Sequence, residues 1–228
     1  MKYNFAIICI LITLFSCTKK ENTTFNGTIK GLRKGTIFLQ KIESNKLITI
    51  DSVALNGSDK FEFNFDLAEP DMFYLHLDKN DGTIYNDRLN VFLEPGQIEL
   101  TSTLNDFQKS SVVTGSNNHL KLEEYNTMIQ KFNLDDLKIS KLNNLAKKIG
   151  KQGFVDATVE DLNSLLKRKY LYSINFALTN KEYEIAPYIA VTEINDANIK
   201  YLDTIYKSLP DHIKKSKYGI KLADLVAK

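Results

Sequence analysis

The sequence predicts an α+β protein in which an antiparallel β-sandwich, or a partly open barrel, precedes an α-helical region. In residues 25–115, apolar and polar residues alternate with the period of a half-buried strand, and glycine turn dipeptides separate the alternating runs. No segment between these runs is long enough for a helical crossover, so the strands are expected to be antiparallel. After Gly115 the apolar residues recur every three or four positions, which is the spacing of a helix.

Residues 1–17 have the composition of a secretory signal. The basic Lys2 precedes an apolar run that ends at Phe15, and the small Ser16 stands before Cys17. The run is shorter than the roughly twenty apolar residues of a membrane-spanning helix. Ser16 and Cys17 resemble the lipobox of bacterial lipoproteins, a family in which the cysteine is lipidated and becomes the N-terminus after cleavage. The alternative is an ordinary cleaved signal with an incidental cysteine.

The cysteine count and the residues after Cys17 predict where the protein is located. The sequence has two cysteines, Cys9 and Cys17, and cleavage before Cys17 leaves no partner for an intrachain disulfide. The basic Lys19 and Lys20 follow, whereas surface-exported lipoproteins of the related type tend to carry acidic residues there. We therefore expect an outer-membrane lipoprotein that faces the periplasm. The polar residues 18–24 are expected to form a tether between lipid and fold.

Composition narrows the class of protein. Apolar residues make up 43% and charged residues 25% of 228 residues, which is typical of a globular chain of one large or two small domains. The formal net charge is +2, and this near-neutral balance argues against a nucleic-acid partner, which needs a basic face.

The strand predictions follow the alternation. The clearest strand is residues 61–67, where four apolar residues, from Phe61 to Leu67, share one face and three polar residues share the other. The other predicted strands are residues 36–42, 47–55, 72–77, 88–93, 97–103 and the short pair Val112 and Val113. The predicted turns lie at Asn26-Gly27, Asn56-Gly57, Asp81-Gly82 and Pro95-Gly96.

Residues 116–228 are predicted to be helical. One apolar face contains Leu122, Tyr125, Ile129 and Phe132, and a second contains Leu142, Leu145 and Ile149 before a helix end at Gly150. Thr158, with Asp161 three residues later, predicts the start of the next long helix by a capping-box pattern. Pro187 breaks or starts a further helix, residues 194–209 form another that ends at Pro210, and the last begins at Ile220. We expect this region to pack on the sandwich; the alternative is a separate domain.

Several phrases of the sequence resemble a known module. They are FEFNF at residues 61–65, FLEPGQIEL at 92–100 and VTGSNN at 113–118. They resemble domain of unknown function 4369, an N-terminal module of lipoproteins of Gram-negative bacteria. In many of these it precedes a thioredoxin-like domain of the TlpA/ResA-like thiol-disulfide interchange type. The helical part resembles the connector in those proteins, and residues 209–219 resemble the stretch just before the thioredoxin domain.

The resemblance implies no catalytic residue here. The relatives carry a Trp-Cys-x-x-Cys active site, but this sequence has no tryptophan and no Cys-x-x-Cys pair, so we expect the thioredoxin domain to be missing. Attack on a disulfide needs a thiolate. A lipidated Cys17 is a thioether and cannot supply one.

Other chemistry-bearing residues do not form a recognised motif. The three histidines, His76, His119 and His212, lack metal-ligand spacing. We interpret His76 as a residue on a sheet face and the other two as solvated. We expect no catalytic residue, no metal and no cofactor.

Short charged stretches have ordinary explanations. The acidic residues Asp66, Glu69 and Asp71 are interpreted as turn residues, and residues 78–82 as a hairpin turn rather than a calcium loop. The basic runs at residues 167–169 and 214–215 are interpreted as solvated helix faces, with contact to acidic lipid head groups as the alternative.

The sequence thus predicts a non-catalytic cell-envelope lipoprotein that is held to the membrane by a lipid on Cys17. It would act as a binding or accessory module, with an envelope protein as a candidate partner, and strand edges suit the addition of a peptide. One alternative is a redox accessory that pairs with a separate thioredoxin-like oxidoreductase. The other is an envelope hydrolase.

Overall fold

A computed structural model of the chain describes residues 21–79 and 87–227. The strands lie in two four-stranded sheets, with orders β4-β1-β7-β8 (sheet A) and β3-β2-β5-β6 (sheet B), and neither sheet closes into a barrel. Helices follow the strands, which confirms the α+β class with an N-terminal sandwich. The strands are β1 Thr23–Lys30, β2 Lys34–Glu43, β3 Lys46–Asn56, β4 Lys60–Phe65, β5 Asp71–Asp78, β6 Asp87–Leu93, β7 Gly96–Thr103 and β8 Val112–Thr114.

One strand pair departs from the antiparallel expectation. β1 lies in the middle of sheet A, antiparallel to β4 and parallel to β7, where Thr23 is opposite Gly96. In the described part of the chain between β1 and β7 there are five strands, β4 and the whole of sheet B, and no helix. The antiparallel expectation is therefore wrong for this one pair, because strands that are distant in the sequence can pair in parallel without a direct crossover.

β1 begins inside the segment that the sequence predicted as a tether, and the predicted Asn26-Gly27 turn lies within it. A Cβ on Gly27 would be 2.6 Å from the carbonyl oxygen of Leu100 and 2.8 Å from the ring of Phe61. Gly27 thus allows close packing in the centre of the sheet, which is the other common use of glycine in a strand.

The inner faces of the two sheets form the main hydrophobic core. Phe25, Phe61 and Phe63 from sheet A pack with each other, with ring centroids 5.5–6.5 Å apart, and against the inward residues of sheet B, such as Leu39 and Leu75. The strict alternation of β4, which made it the clearest predicted strand, places Phe61 and Phe63 in this core.

The helices are α1 Asn117–Lys148, α2 Gln152–Thr179, α3 Ile185–Thr192, α4 Ile199–Ser208, α5 Asp211–Lys214 and α6 Lys217–Val226. They pack on the outer face of sheet B, as expected. The shared core contains Met72 and Phe92 from the sheet and Tyr125, Ile189 and Tyr218 from the helices. Within the described residues, no helix has the length and apolarity that crossing a membrane requires.

Two helix predictions need correction. α1 continues as one helix through both predicted apolar faces, and Leu142, Leu145 and Ile149 are 47–57% exposed because α2 packs on the opposite side of α1. Thr158 lies inside α2 and does not cap it. Its hydroxyl is buried and accepts a hydrogen bond of 2.7 Å from the amide of Asn143 on α1. The predicted end at Gly150 is confirmed, with a φ of +68°.

Candidate functional site

The predicted lipidation residue, Cys17, lies outside the described residues, as do residues 80–82 of the predicted hairpin turn. Across residues 21–79 and 87–227, no three histidine, cysteine or acidic side chains are placed to hold a metal ion. Candidate sites therefore have to be built from the remaining polar groups.

The acidic turn residues prove to have a specific role. Asp71 is buried, and its carboxylate accepts hydrogen bonds of 2.6–2.7 Å from the Lys217 ammonium and 2.6 Å from the Tyr218 hydroxyl. Glu69 accepts a hydrogen bond of 2.8 Å from the main-chain N–H of Lys217, where a carboxylate is favoured by the helix dipole. We call these four residues the α6 latch, because they fasten α6 to sheet B. Glu69 lies in the turn before β5, as interpreted, whereas Asp71 is the buried first residue of β5, so its interpretation as a turn residue was wrong.

The three histidines have different environments. His76 lies on the outer face of sheet B and stacks on Phe38 at a ring distance of 5.7 Å, as the alternation predicted. His212 is exposed on the short α5. His119 is only 4% exposed, so the interpretation of this residue as solvated was wrong.

His119 is buried because α1 begins against the edge of β6. Ser116 caps α1: its hydroxyl accepts a hydrogen bond from the His119 N–H and donates one of 2.8 Å to the Phe92 carbonyl. The Phe92 N–H donates to Nδ1 of His119 at 3.2 Å. Since Nδ1 accepts this bond, the neutral ring carries its proton on Nε2, which lies 3.4 Å from Oε1 of Glu123.

Burial lowers the pKa of His119 to about 4 and raises the pKa of Glu123. His119 is therefore neutral near pH 7, and its contact with Glu123 is a long hydrogen bond rather than an ion pair. The group that α1 presents at this point is a fixed, uncharged N–H donor.

Protonation of His119 should destabilise the fold. The unfolded chain binds this proton near pH 6.5, whereas the folded chain binds it only near pH 4. The contribution of His119 to the free energy of unfolding is therefore fully present above pH 6.5, and it is lost as the pH falls from 6.5 to 4. We expect a loss of about 3 kcal/mol by pH 4 from this residue. Urea unfolding of the wild type and of His119→Asn at several pH values measures this loss. The carboxylates titrate in both proteins, so the difference between the two pH dependences belongs to His119. Parallel pH dependences of the two proteins would contradict the prediction.

A polar cleft of about 420 Å³ opens beside His119. We call it the β6–α1 cleft. One wall is the edge of β6 with the loop between β7 and β8, and the other is the first four turns of α1. Its lining is dominated by amide and hydroxyl side chains. The lining residues are Leu89, Asn90, Gln108, Lys109, Ser111, His119, Glu123, Asn126, Thr127 and Gln130.

The wall of this cleft that β6 forms is the edge of a sheet. β6 pairs with β5 on one side only, and the outward main-chain groups of Phe92 are bonded to Ser116 and His119. The Arg88 carbonyl accepts a hydrogen bond of 2.7 Å from the side chain of Gln108. Residues two apart in a strand point the same way, so the N–H and C=O of Asn90 also face outward. Among the described residues, no hydrogen bond reaches these two groups.

The sequence did not indicate this site. The signals that point to it are the SNNH phrase at residues 116–119, which starts α1 with a capping serine, and the amides that recur on one side of α1 at Asn126 and Gln130. Both signals acquire a meaning only when β6 is known to be an edge strand next to α1.

The protein is an α+β sandwich. Helices cover the outer face of sheet B, and a polar cleft lies at the edge of β6. Residues 23–122 match the family described as Domain of unknown function (DUF4369). These residues therefore form a domain of that family, which confirms the resemblance seen in the sequence for this part of the chain. The match spans all eight strands and the start of α1 with His119. No curated protein matches the chain.

Proposed function

We propose that the protein is a non-catalytic cell-envelope lipoprotein that binds a ligand in the β6–α1 cleft. The observation that supports binding is the outward main chain of Asn90, which has no hydrogen-bond partner among the described residues and lies in a cleft lined by amides. A cleft of about 420 Å³ falls within the roughly 300–1,000 Å³ range of ligand sites.

Attachment to the outer membrane, on the periplasmic side, is the second part of the proposal. It is supported by the sequence of residues 1–17 and by the lipobox-like Ser16 and Cys17. Several acyl chains together would hold the protein stably, whereas one chain binds a bilayer only weakly.

Replacing Cys17 by serine should abolish the acylation and release the protein from the membrane fraction. The serine hydroxyl cannot form the thioether that carries the lipid, so we expect palmitate incorporation to fall to background. Metabolic labelling and fractionation of cells measure both effects. Cys9→Ser is the matched control and should stay labelled, whereas palmitate that remains on Cys17→Ser would overturn the proposed anchor.

Binding in the cleft can be tested by site-directed photocrosslinking in intact cells. The full-length protein would carry a photoreactive amino acid in place of Asn126, which lines the cleft, or of Asn144, an exposed asparagine on the same helix outside it. We expect adducts from position 126 only. Adducts of equal yield at both positions, or none at 126, would overturn the proposed ligand site. Capture of a thioredoxin-like protein at position 126 would instead favour the redox-accessory alternative.

A further inference from the structure

We propose that the ligand of the β6–α1 cleft is a short extended peptide segment, whose main chain pairs with the N–H and C=O of Asn90. This inference rests on the proposed binding function and adds the chemical class of the ligand.

At both ends of β6, side chains make hydrogen bonds to outward main-chain groups that a neighbouring strand would otherwise pair with. The Gln108 amide bonds to the Arg88 carbonyl, and at Phe92 the residues His119 and Ser116 bond to both main-chain groups. Each of these bonds replaces one that a neighbouring strand would make. Asn90, between them, is the outward residue for which the described part of the chain provides no substitute.

The spacing sets the length of the segment. Arg88 and Phe92 are separated by about 13 Å of strand, at roughly 3.3 Å per residue. About three or four peptide residues therefore fit between the two covered positions. A longer strand would collide with Gln108 or with the first turn of α1, so the ligand has to be a chain end, a tight loop or a free short peptide.

The lining favours peptide groups over other polar ligands. The amides of Asn126 and Gln130 can each donate and accept, as a peptide group does. The charged lining residues Lys109 and Glu123 balance each other. The lining contains no phenylalanine, tyrosine or tryptophan, and the ring of His119 is 4% exposed, so a saccharide would find no open ring face on which to stack its apolar side.

The test uses the full-length protein in detergent and a pool of randomised tetrapeptides with acetylated N-termini and amidated C-termini. Hydrogen exchange followed by NMR reports on the Asn90 N–H directly. We expect saturating peptide to slow its exchange at least about tenfold. The Phe92 N–H, which is already bonded to His119, should be unchanged. Peptide binding that leaves the exchange of Asn90 unaltered would overturn the inference.

Two variants separate the main chain of Asn90 from its side chain. Asn90→Pro removes the outward N–H, and proline is tolerated on an edge strand when its nitrogen faces away from the ladder. We expect it to weaken the binding of a selected peptide about tenfold, whereas Asn90→Ala keeps the main-chain pairing and most of the affinity. N-methylation of the selected peptide, one residue at a time, tests the same pairing on the wild type if the proline variant does not fold.

The outcomes also separate this inference from the proposed function. A saccharide pool that binds and protects the cleft, with no binding of peptides, would overturn the peptide assignment and leave the ligand site in place. Equal affinities for Asn90→Pro and Asn90→Ala, together with no effect of N-methylation, would have the same meaning. If crosslinking at position 126 gave no adduct, both the peptide assignment and the proposed ligand site would be overturned.

Discussion

Replacing Asp71 by asparagine is expected to lower the free energy of unfolding by about 2–4 kcal/mol. The carboxylate is 6% exposed and accepts hydrogen bonds from the Lys217 ammonium, the Tyr218 hydroxyl and the Met72 N–H. An asparagine of the same shape leaves the Lys217 ammonium without its counter-charge. Lys217 keeps 28% exposure of its side chain, so water compensates part of the loss, and we expect less than the full cost of a fully buried pair.

The matched control is an exposed ion pair of the same length. Asp203 and Lys207 on α4 also lie 2.6 Å apart, but their side chains are 39% and 73% exposed. Asp203→Asn should therefore cost less than about 0.5 kcal/mol. Urea unfolding of both variants, with Tyr218→Phe to isolate the hydroxyl contact, measures the difference. Equal costs for Asp71→Asn and Asp203→Asn would contradict the role of the α6 latch.

Replacing Gly115 by alanine is expected to destabilise the fold by about 3–5 kcal/mol. Gly115 connects β8 to the cap of α1 and has a φ of +88°, a conformation that side chains disfavour. A Cβ there would also lie 2.1 Å from the carbonyl oxygen of Gln97, so β7 or the start of α1 has to move. Because Ser116 and His119 follow directly, the same movement would disturb the β6–α1 cleft.

Gly57 separates the two contributions. Its φ is +90°, nearly the same as that of Gly115, but no atom lies within 4 Å of its added Cβ. Gly57→Ala should cost only the conformational term, about 1–2 kcal/mol. Thermal unfolding of the two variants gives the cost of the collision as their difference. If Gly115→Ala were no worse than Gly57→Ala, the close approach to Gln97 would have no energetic consequence.

The strands were the most predictable part of the molecule, for a physical reason. In β4 the alternation of Phe61 and Phe63 with polar residues reflects burial of one face, and the face is a local property of the chain. β1 was missed because its sequence has few large apolar residues and contains Asn26-Gly27, a turn signal. Gly27 is required there by Leu100 and Phe61, which are distant in sequence.

The helices show the limit of periodicity as a guide. Leu142, Leu145 and Ile149 have helical spacing, and they do lie on a helix, but the side that α2 covers is the one with Asn143 and Ala146. The spacing of apolar residues identifies one face of a helix, but it does not show which face packs against another helix. Thr158 was mistaken for a cap for a similar reason, because a buried hydrogen bond to Asn143 explains it equally well.

The candidate site depended on contacts that no local pattern contains. His119 is buried by the main chain of Phe92, and Asp71 meets Lys217 from the far end of the chain. Neither residue belongs to a motif. The family resemblance was predictable because its phrases, such as FLEPGQIEL, are contiguous, whereas the β6–α1 cleft joins side chains from three separate segments.

The central place of β1 determines how the protein would respond to mechanical force. Load applied ahead of Thr23, as by the proposed attachment to a membrane, would enter the fold at a strand that is bonded on both sides, to β4 and to β7. The hydrogen bonds of an edge strand can break one after another. To detach β1, the hydrogen bonds to β4 and to β7 have to break together. Pulling on the N-terminus would therefore load an inner strand of sheet A in shear.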